Sequence, residues 1–191
     1  MDLQDLIERI FDAHDPVAQQ QAAREMRSFP HNPDVVFILF RACYEARDPL
    51  LQQEAVRSLA ALCPAKALEA FRKSTYSPDA EKRRRALYHL GTLGEPQGLE
   101  HVLRGLSDPD AAVRKAAACS VGRLGNDYRV LAALRSLLDD REPEPVRRAA
   151  RNAIEQIQKR LNTTRSFDVR PSFKGTRSRP PRGDSYDPMA F

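Results

Sequence analysis

The sequence predicts an all-α protein built from five stacked copies of a two-helix unit, followed by an extended C-terminal tail. Three observations carry this. One residue pattern recurs every 31 to 33 residues. Turns containing Asp and Pro recur at the same spacing. No segment alternates apolar and polar residues as a half-buried strand must.

The pattern is clearest in the middle of the chain. Asp110, Arg114, Ala117, Val121, Gly122, Leu124 and Gly125 answer to Asp79, Arg83, Ala86, Leu90, Gly91, Leu93 and Gly94, thirty-one residues earlier. Asp48 with Ala55, Leu59 and Leu62 continues the series backward, as does Asp15 with Ala22, Met26 and Phe29. Forward, Val146, Arg147, Ala150, Ile154 and Ile157 form the fifth copy. The first two copies carry Gln19 and Gln52 at the Arg position.

Each copy divides into two helices. The first is an amphipathic stretch of about three turns, at 2–14, 33–47, 65–76, 95–107 and 127–140. The second follows a turn: Asp15-Pro16, Asp48-Pro49, Ser77-Pro78-Asp79 or Asp108-Pro109-Asp110. Asp or Ser caps orphan amides there, and Pro just inside the start suits a first turn. Gly94 and Gly125 are expected to end their helices in the left-handed conformation.

Count from the Asp as position 0, turning about 100° per residue. Positions 3, 7, 11 and 14 then share one arc. Val113, Ala117, Val121 and Leu124 fill it in one copy, and Leu51, Ala55, Leu59 and Leu62 in another. That arc is the expected core. Position 4 (Arg83, Arg114, Arg147) lies beside it, placed to bond a neighbouring Asp or a carbonyl end. Positions 5, 9 and 12 point the other way and form a polar, basic ridge with one Tyr at its centre. From it we take Arg24, Arg57, Arg84, Tyr88, Lys115 and Arg148 as candidate partner-binding residues. Gly91 and Gly122 occupy position 12. Each weakens a helix by about 1 kcal/mol relative to Ala, which implies close approach by a neighbouring helix or by a ligand.

The run of Asp110, Val113, Arg114, Ala117, Val121, Gly122, Leu124 and Gly125, at a period near 31, resembles the short HEAT repeat of phycobilin lyase subunits and many bacterial scaffold proteins. The resemblance covers about residues 2–160. It implies an α-solenoid in which each copy touches only its neighbours, with the second helices on the concave side. It also implies two functions. One is a non-enzymatic scaffold or assembly factor that holds a protein partner. The other is a bilin-handling lyase subunit, in which groove arginines meet the tetrapyrrole propionates and Tyr88 stacks on its rings.

The chain is expected to divide into a solenoid, 1–162, and a tail, 163–191. The tail has no helical period and contains Pro171, Pro180, Pro181 and Pro188; its composition predicts disorder when free. It still holds four aromatics in 29 residues, against nine in the preceding 162. Phe167, Phe173, Tyr186 and Phe191, spaced among Arg170, Arg177 and Arg179, read as anchors for a partner.

Charge separates the remaining classes. The net charge is +5, but 163–191 holds six basic and three acidic residues, leaving +2 for the rest. Nucleic-acid binding uses a dense basic face, so that reading rests on the tail and ranks below a protein partner. No Walker loop, GxGxxG or HExxH is present. His14, His31, His89 and His101 are followed by Asp, Asn, Leu and Val. None makes the His-Glu pair with which hydroxylases of similar repeats hold iron. No catalytic residue, cofactor or metal is assigned. His89, at position 10 beside the core arc, reads as a structural histidine. Cys43, Cys63 and Cys119 are far apart, as expected in a reducing, cytoplasmic setting. The longest apolar run, residues 35–40, falls far short of the roughly 20 that span a bilayer. The acidic start of the chain lacks an apolar signal core.

Overall fold

Four aspartates set the phase of the array. Asp15, Asp48, Asp79 and Asp110 each stand in extended conformation one residue before a second helix. Each side chain accepts from amides of the first turn, as from Ala112 and Val113 at 2.8 and 3.1 Å for Asp110. Pro16 and Pro49 open their helices, as expected. Pro78 and Pro109 instead precede the capping Asp.

The computed structural model describes residues 2–11 and 15–167. Those residues form ten α-helices and no strand. The first helices of the copies are α1 (Leu3–Phe11), α3 (Pro33–Glu45), α5 (Pro64–Ser74), α7 (Leu99–Gly105) and α9 (Arg129–Arg135). The second helices are α2 (Pro16–Glu25), α4 (Pro49–Leu62), α6 (Ala80–Leu93), α8 (Ala111–Leu124) and α10 (Glu144–Phe167). At seven residues each, α7 and α9 are shorter than the expected three turns. A 3-10 turn at Pro96–Gly98 precedes α7, and another at Ser136–Leu138 follows α9. α10 crosses the boundary expected at 162 and ends at Phe167. Arg170, Phe173, Arg177, Arg179, Tyr186 and Phe191 lie outside the described residues.

Each first helix packs on its own second helix, and second helices pack on one another along the whole array. The expected arc is buried between them: Leu51, Ala55, Leu59, Val113, Ala117 and Val121 are all at most 2% exposed. Position 14 is only half-buried at Leu62 and Leu124. Burial at about 25 cal/mol per Å² of apolar surface is the main stabilisation. It accrues copy by copy, because each copy touches only its neighbours.

Two polar ladders cross the joints between copies. At position 4, Arg83 Nε and Nη2 donate to the two Asp108 carboxylate oxygens at 2.8 and 2.9 Å. Its Nη1 donates to the Ser77 and Pro78 carbonyls, both at 3.0 Å. Arg114 repeats this one copy on, reaching Glu142 Oε2 at 3.0 and 2.8 Å and the Asp108 and Pro109 carbonyls at 2.8 and 3.0 Å. Arg147 ends the ladder on Asp140 and Glu144, at 2.5 and 3.0 Å. In the second copy Gln52 reaches only the Ala46 carbonyl, at 2.7 Å.

The second ladder is buried, at position 10. Ser58 Oγ donates to the Ala23 carbonyl at 2.7 Å, and Ser120 Oγ to the Leu87 carbonyl at 2.8 Å, each on the preceding second helix. His89 stands between them in sequence and departs from the pattern. Its Nε2 lies 3.0 Å from the Cys43 carbonyl on α3, among the rings of Tyr44, Phe71 and Tyr88. A carbonyl only accepts, so Nε2 carries the proton and Nδ1 is left with a lone pair and no partner.

The glycines divide by cause. Gly94 is left-handed, at φ 79°, as expected. Gly125 is not: at φ −67° and ψ 128° it ends α8 in extended backbone. Space, not handedness, requires glycine there, because a Cβ would stand 2.8 Å from the Val121 carbonyl oxygen and 3.0 Å from Val130 Cγ2.

Candidate interaction surface

Close packing of second helix on second helix makes one continuous face, and the candidate ridge lies on it. Arg24, Arg57, Lys115 and Arg148 are exposed on α2, α4, α8 and α10, while Arg84 and Tyr88 are half-buried on α6. They do not form one uniform strip. The ridge resolves into three parts.

The first is centred on Glu54, which is 5% exposed. Arg24 Nε lies 3.2 Å from its Oε1, Arg27 Nη2 2.5 Å from the same oxygen, and Arg57 Nη1 3.5 Å from Oε2. Arg27 Nε also donates to Ser58 Oγ at 3.0 Å, tying this cluster to the buried ladder. Three guanidiniums on one carboxylate leave a local excess of two positive charges facing outward.

The second part is Tyr88. The guanidinium of Arg123 lies over its ring, 4.7 Å from the centroid, and Arg123 Nη1 donates to Thr92 Oγ1 at 3.0 Å. Arg84 does not join this stack. It forks onto Glu81 of its own helix with two bonds of 2.6 Å, which hold the Glu81 carboxyl down to about 2. Beyond Arg123 an open cleft between α8 and α10 is lined by Gly122, Asn126, Gln156, Lys159 and Arg160.

The third part is Lys115 and Arg148. Among the described residues neither forms an ion pair with a carboxylate, so both present full charges.

Gly91 and Gly122 answer to helix packing rather than to a ligand. A Cβ at 91 would stand 2.5 Å from Ser120 Oγ and 2.9 Å from Ser120 Cα. One at 122 would stand 3.0 Å from Ala153 Cβ. The α6–α8 and α8–α10 contacts therefore require both glycines.

Glu54, Arg27 and Arg123 were not among the candidates. The repeat carries a signal for Glu54. It stands at position 6, where the last two copies place the buried Ala116 and Ala149. A carboxylate at a buried position demands cations, and Arg24, Arg27 and Arg57 are within reach in the same register.

The thiols of Cys43 and Cys63 are pushed up from the ordinary range by burial, so neither is an activated nucleophile. No group of three or more His, Cys, Asp or Glu among the described residues is placed to hold a metal ion. No helix among them is long and apolar enough to cross a membrane.

A two-layer array with this recurrent Asp cap and Arg clamp is an α-solenoid. The HEAT repeats family pattern matches residues 3–81 and 73–155, and the chain belongs to that family. No curated protein sequence matches it. Among solved structures it is similar to the complex of CpcE and CpcF of phycocyanin lyase from Nostoc sp. PCC7120. That match has a TM-score of 0.53 at 21% identity and covers 79% of this chain and 96% of that one. An engineered protein matches with a TM-score of 0.47 at 20% identity, over 82% of this chain and 80% of that one. Human deoxyhypusine hydroxylase in complex with glycerol matches with a TM-score of 0.48 at 16% identity, over 82% and 74%. At these identities the likeness is one of fold.

Proposed function

We propose that this chain is a non-enzymatic interaction scaffold that holds a protein partner on the basic face of its second helices. One observation carries the reading: the second helices sort their cations into two sets. Arg83, Arg114 and Arg147 are consumed in clamps within and between copies. Lys115 and Arg148 are exposed and, among the described residues, without carboxylate partners, and Arg24 and Arg57 keep most of their surface exposed around Glu54. The clamps between copies use none of the second set, and around Glu54 Arg27 is the least exposed of the three arginines. A large basic face complements an acidic partner surface and speeds encounter. The tail residues Phe167, Arg170, Phe173, Arg177, Arg179, Tyr186 and Phe191 would add a second clamp on the same partner.

The test compares capture from nuclease-treated native lysate by the wild-type chain and by Lys115→Glu/Arg148→Glu, with proteins identified by mass spectrometry. A defined partner held by the wild type and lost by the double variant, at unchanged helical content, is the expected result. Equal capture by both removes this face from consideration.

A second reading is a bilin-handling subunit. Tyr88 under Arg123, beside the Arg-rich Glu54 cluster, offers a ring and cations to a tetrapyrrole with propionates. The similarity to the phycocyanin lyase complex favours it. Visible absorbance on the purified chain after co-expression with a bilin supply tests this reading. A colourless chain, alone and with a related subunit, excludes it.

A further inference from the structure

On the opposite side of the array, two guanidiniums converge on one imidazole. Arg72 of α5 brings Nε to 2.7 Å from His101 Nε2 on α7. Arg104, also on α7, brings Nη2 to 3.2 Å from His101 Nδ1. A guanidinium only donates, and a neutral imidazole has one lone pair and one N–H. The ring can therefore satisfy one arginine, while the other faces its N–H. Protonation makes this worse, since both nitrogens then donate.

Among the described residues no carboxylate is bonded to the cluster, although Glu69 lines the same cleft and its field reaches Arg72. Among the described residues neither Arg72 nor Arg104 forms an ion pair. Glu69 is nearby, but Lys73 holds it at 2.9 Å. Asp108 is held by Arg83 at 2.8 Å. Glu100 reaches His101 only through its longer-range field. Burial, then the charges of Arg72 and Arg104, lower the His101 pKa. The site is open: Tyr76 is 61% exposed. The Arg104 guanidinium lies over its ring, 3.8 Å from the centroid, and also hydrogen-bonds its hydroxyl.

We propose that Arg72, His101 and Arg104, flanked by Tyr76, form a binding site for a phosphate-class dianion. Such an ion accepts from both guanidiniums and from the imidazole N–H at once, and its two charges match the two unpaired arginines. Bidentate arginine donation suits phosphate oxygens. The exposed Tyr76 ring gives an aromatic phosphate monoester a surface that free phosphate does not use. The site is independent of the second-helix face.

The test is a titration of the full chain, at constant ionic strength, with inorganic phosphate, phenyl phosphate and succinate. Histidine NMR signals report binding, and the His101 signal is identified by its loss in His101→Gln. Phosphate should shift this signal saturably and leave the His31 signal in place. Arg72→Gln and Arg104→Gln should each weaken binding at least tenfold with unchanged circular dichroism. Phenyl phosphate binding more tightly than phosphate assigns an esterified ligand; equal binding assigns the free ion. A non-saturating shift overturns the proposal, as does one insensitive to Arg104→Gln. So does succinate binding as tightly as phosphate.

Discussion

Arg83 grips Asp108 with two parallel hydrogen bonds across the joint between the third and fourth copies, at 2.8 and 2.9 Å. The two side chains are only 15% and 11% exposed. Paired, charge-assisted geometry of this kind is stronger than a surface ion pair. Burial alone would raise the Asp108 pKa. The bonds from Arg83 and the Asp110 amide more than offset this, and the carboxyl ends below its usual range.

Arg83→Gln should therefore cost about 2 kcal/mol, since it strands a largely buried carboxylate. Arg151→Gln, which breaks a pair about half exposed on both sides, should cost well under 1 kcal/mol. The double variant Arg83→Gln/Asp108→Asn should cost less than the two single changes together. Urea midpoints measure all four. The pair contributes stability above the unfolded Asp pKa, and that contribution falls away as acid protonates Asp108.

The three arginines on Glu54 should not be equivalent. Arg27 is 35% exposed and bonded to Ser58 as well, whereas Arg24 and Arg57 are 67% and 55% exposed. Arg27→Ala should be the most destabilising, at about 1–2 kcal/mol, and the other two should stay within about 0.5 kcal/mol. Glu54→Gln should cost at least as much as Arg27→Ala, about 1–2 kcal/mol, because it removes the one carboxylate that all three guanidiniums share. Thermal midpoints in low salt test the ranking. Equal losses for Arg24 and Arg27 would refute it.

His89 gives the fold a specific sensitivity to acid. Burial pushes its pKa from 6.5 down to about 4; the Cys43 carbonyl opposes this, and Arg85 and Arg84 add to it. The unfolded chain takes up this proton near 6.5 and the folded chain only near 4. Its contribution is complete above 6.5 and is lost as pH falls toward 4, by about 3 kcal/mol. His101, also lowered, adds a smaller loss of the same sign. His89→Leu should flatten stability between pH 6.5 and 4, whatever its stability at neutral pH. Denaturant titrations across that window decide the matter, and an unchanged slope would count against His89 as the source.

Much of the fold can be read from the chain because the repeat reports the same physics several times. An Asp cap, an arginine one turn on and an apolar arc recur with one phase, so each copy corroborates the next. What could not be read depends on a single copy's surroundings. Gly125 keeps the repeat's glycine but not its handedness: what it avoids is a Cβ against the Val121 carbonyl and Val130. Gly91 and Gly122 admitted two explanations until Ser120 and Ala153 were seen against them. The ridge was legible as a set of outward positions. Its division was not, because pairing depends on Glu54 and Glu81, which lie off the positions that define the ridge. Arg72 and Arg104 escaped notice because they belong to first helices, where the repeat is weakest and residues 29 to 32 apart in sequence meet only through stacking.

The clamp also bears on how such a chain lengthens. Residues 79–109 contain a donor, Arg83, and its acceptor, Asp108, together with the Asp–Pro carbonyls that the next arginine grips. A tandem duplication of that segment would arrive with its joint already made, leaving no orphaned charge on either side. The second-helix face would gain one more rung, carrying Tyr88 and the Arg84–Glu81 pair, so its reach becomes a matter of copy number rather than of redesign.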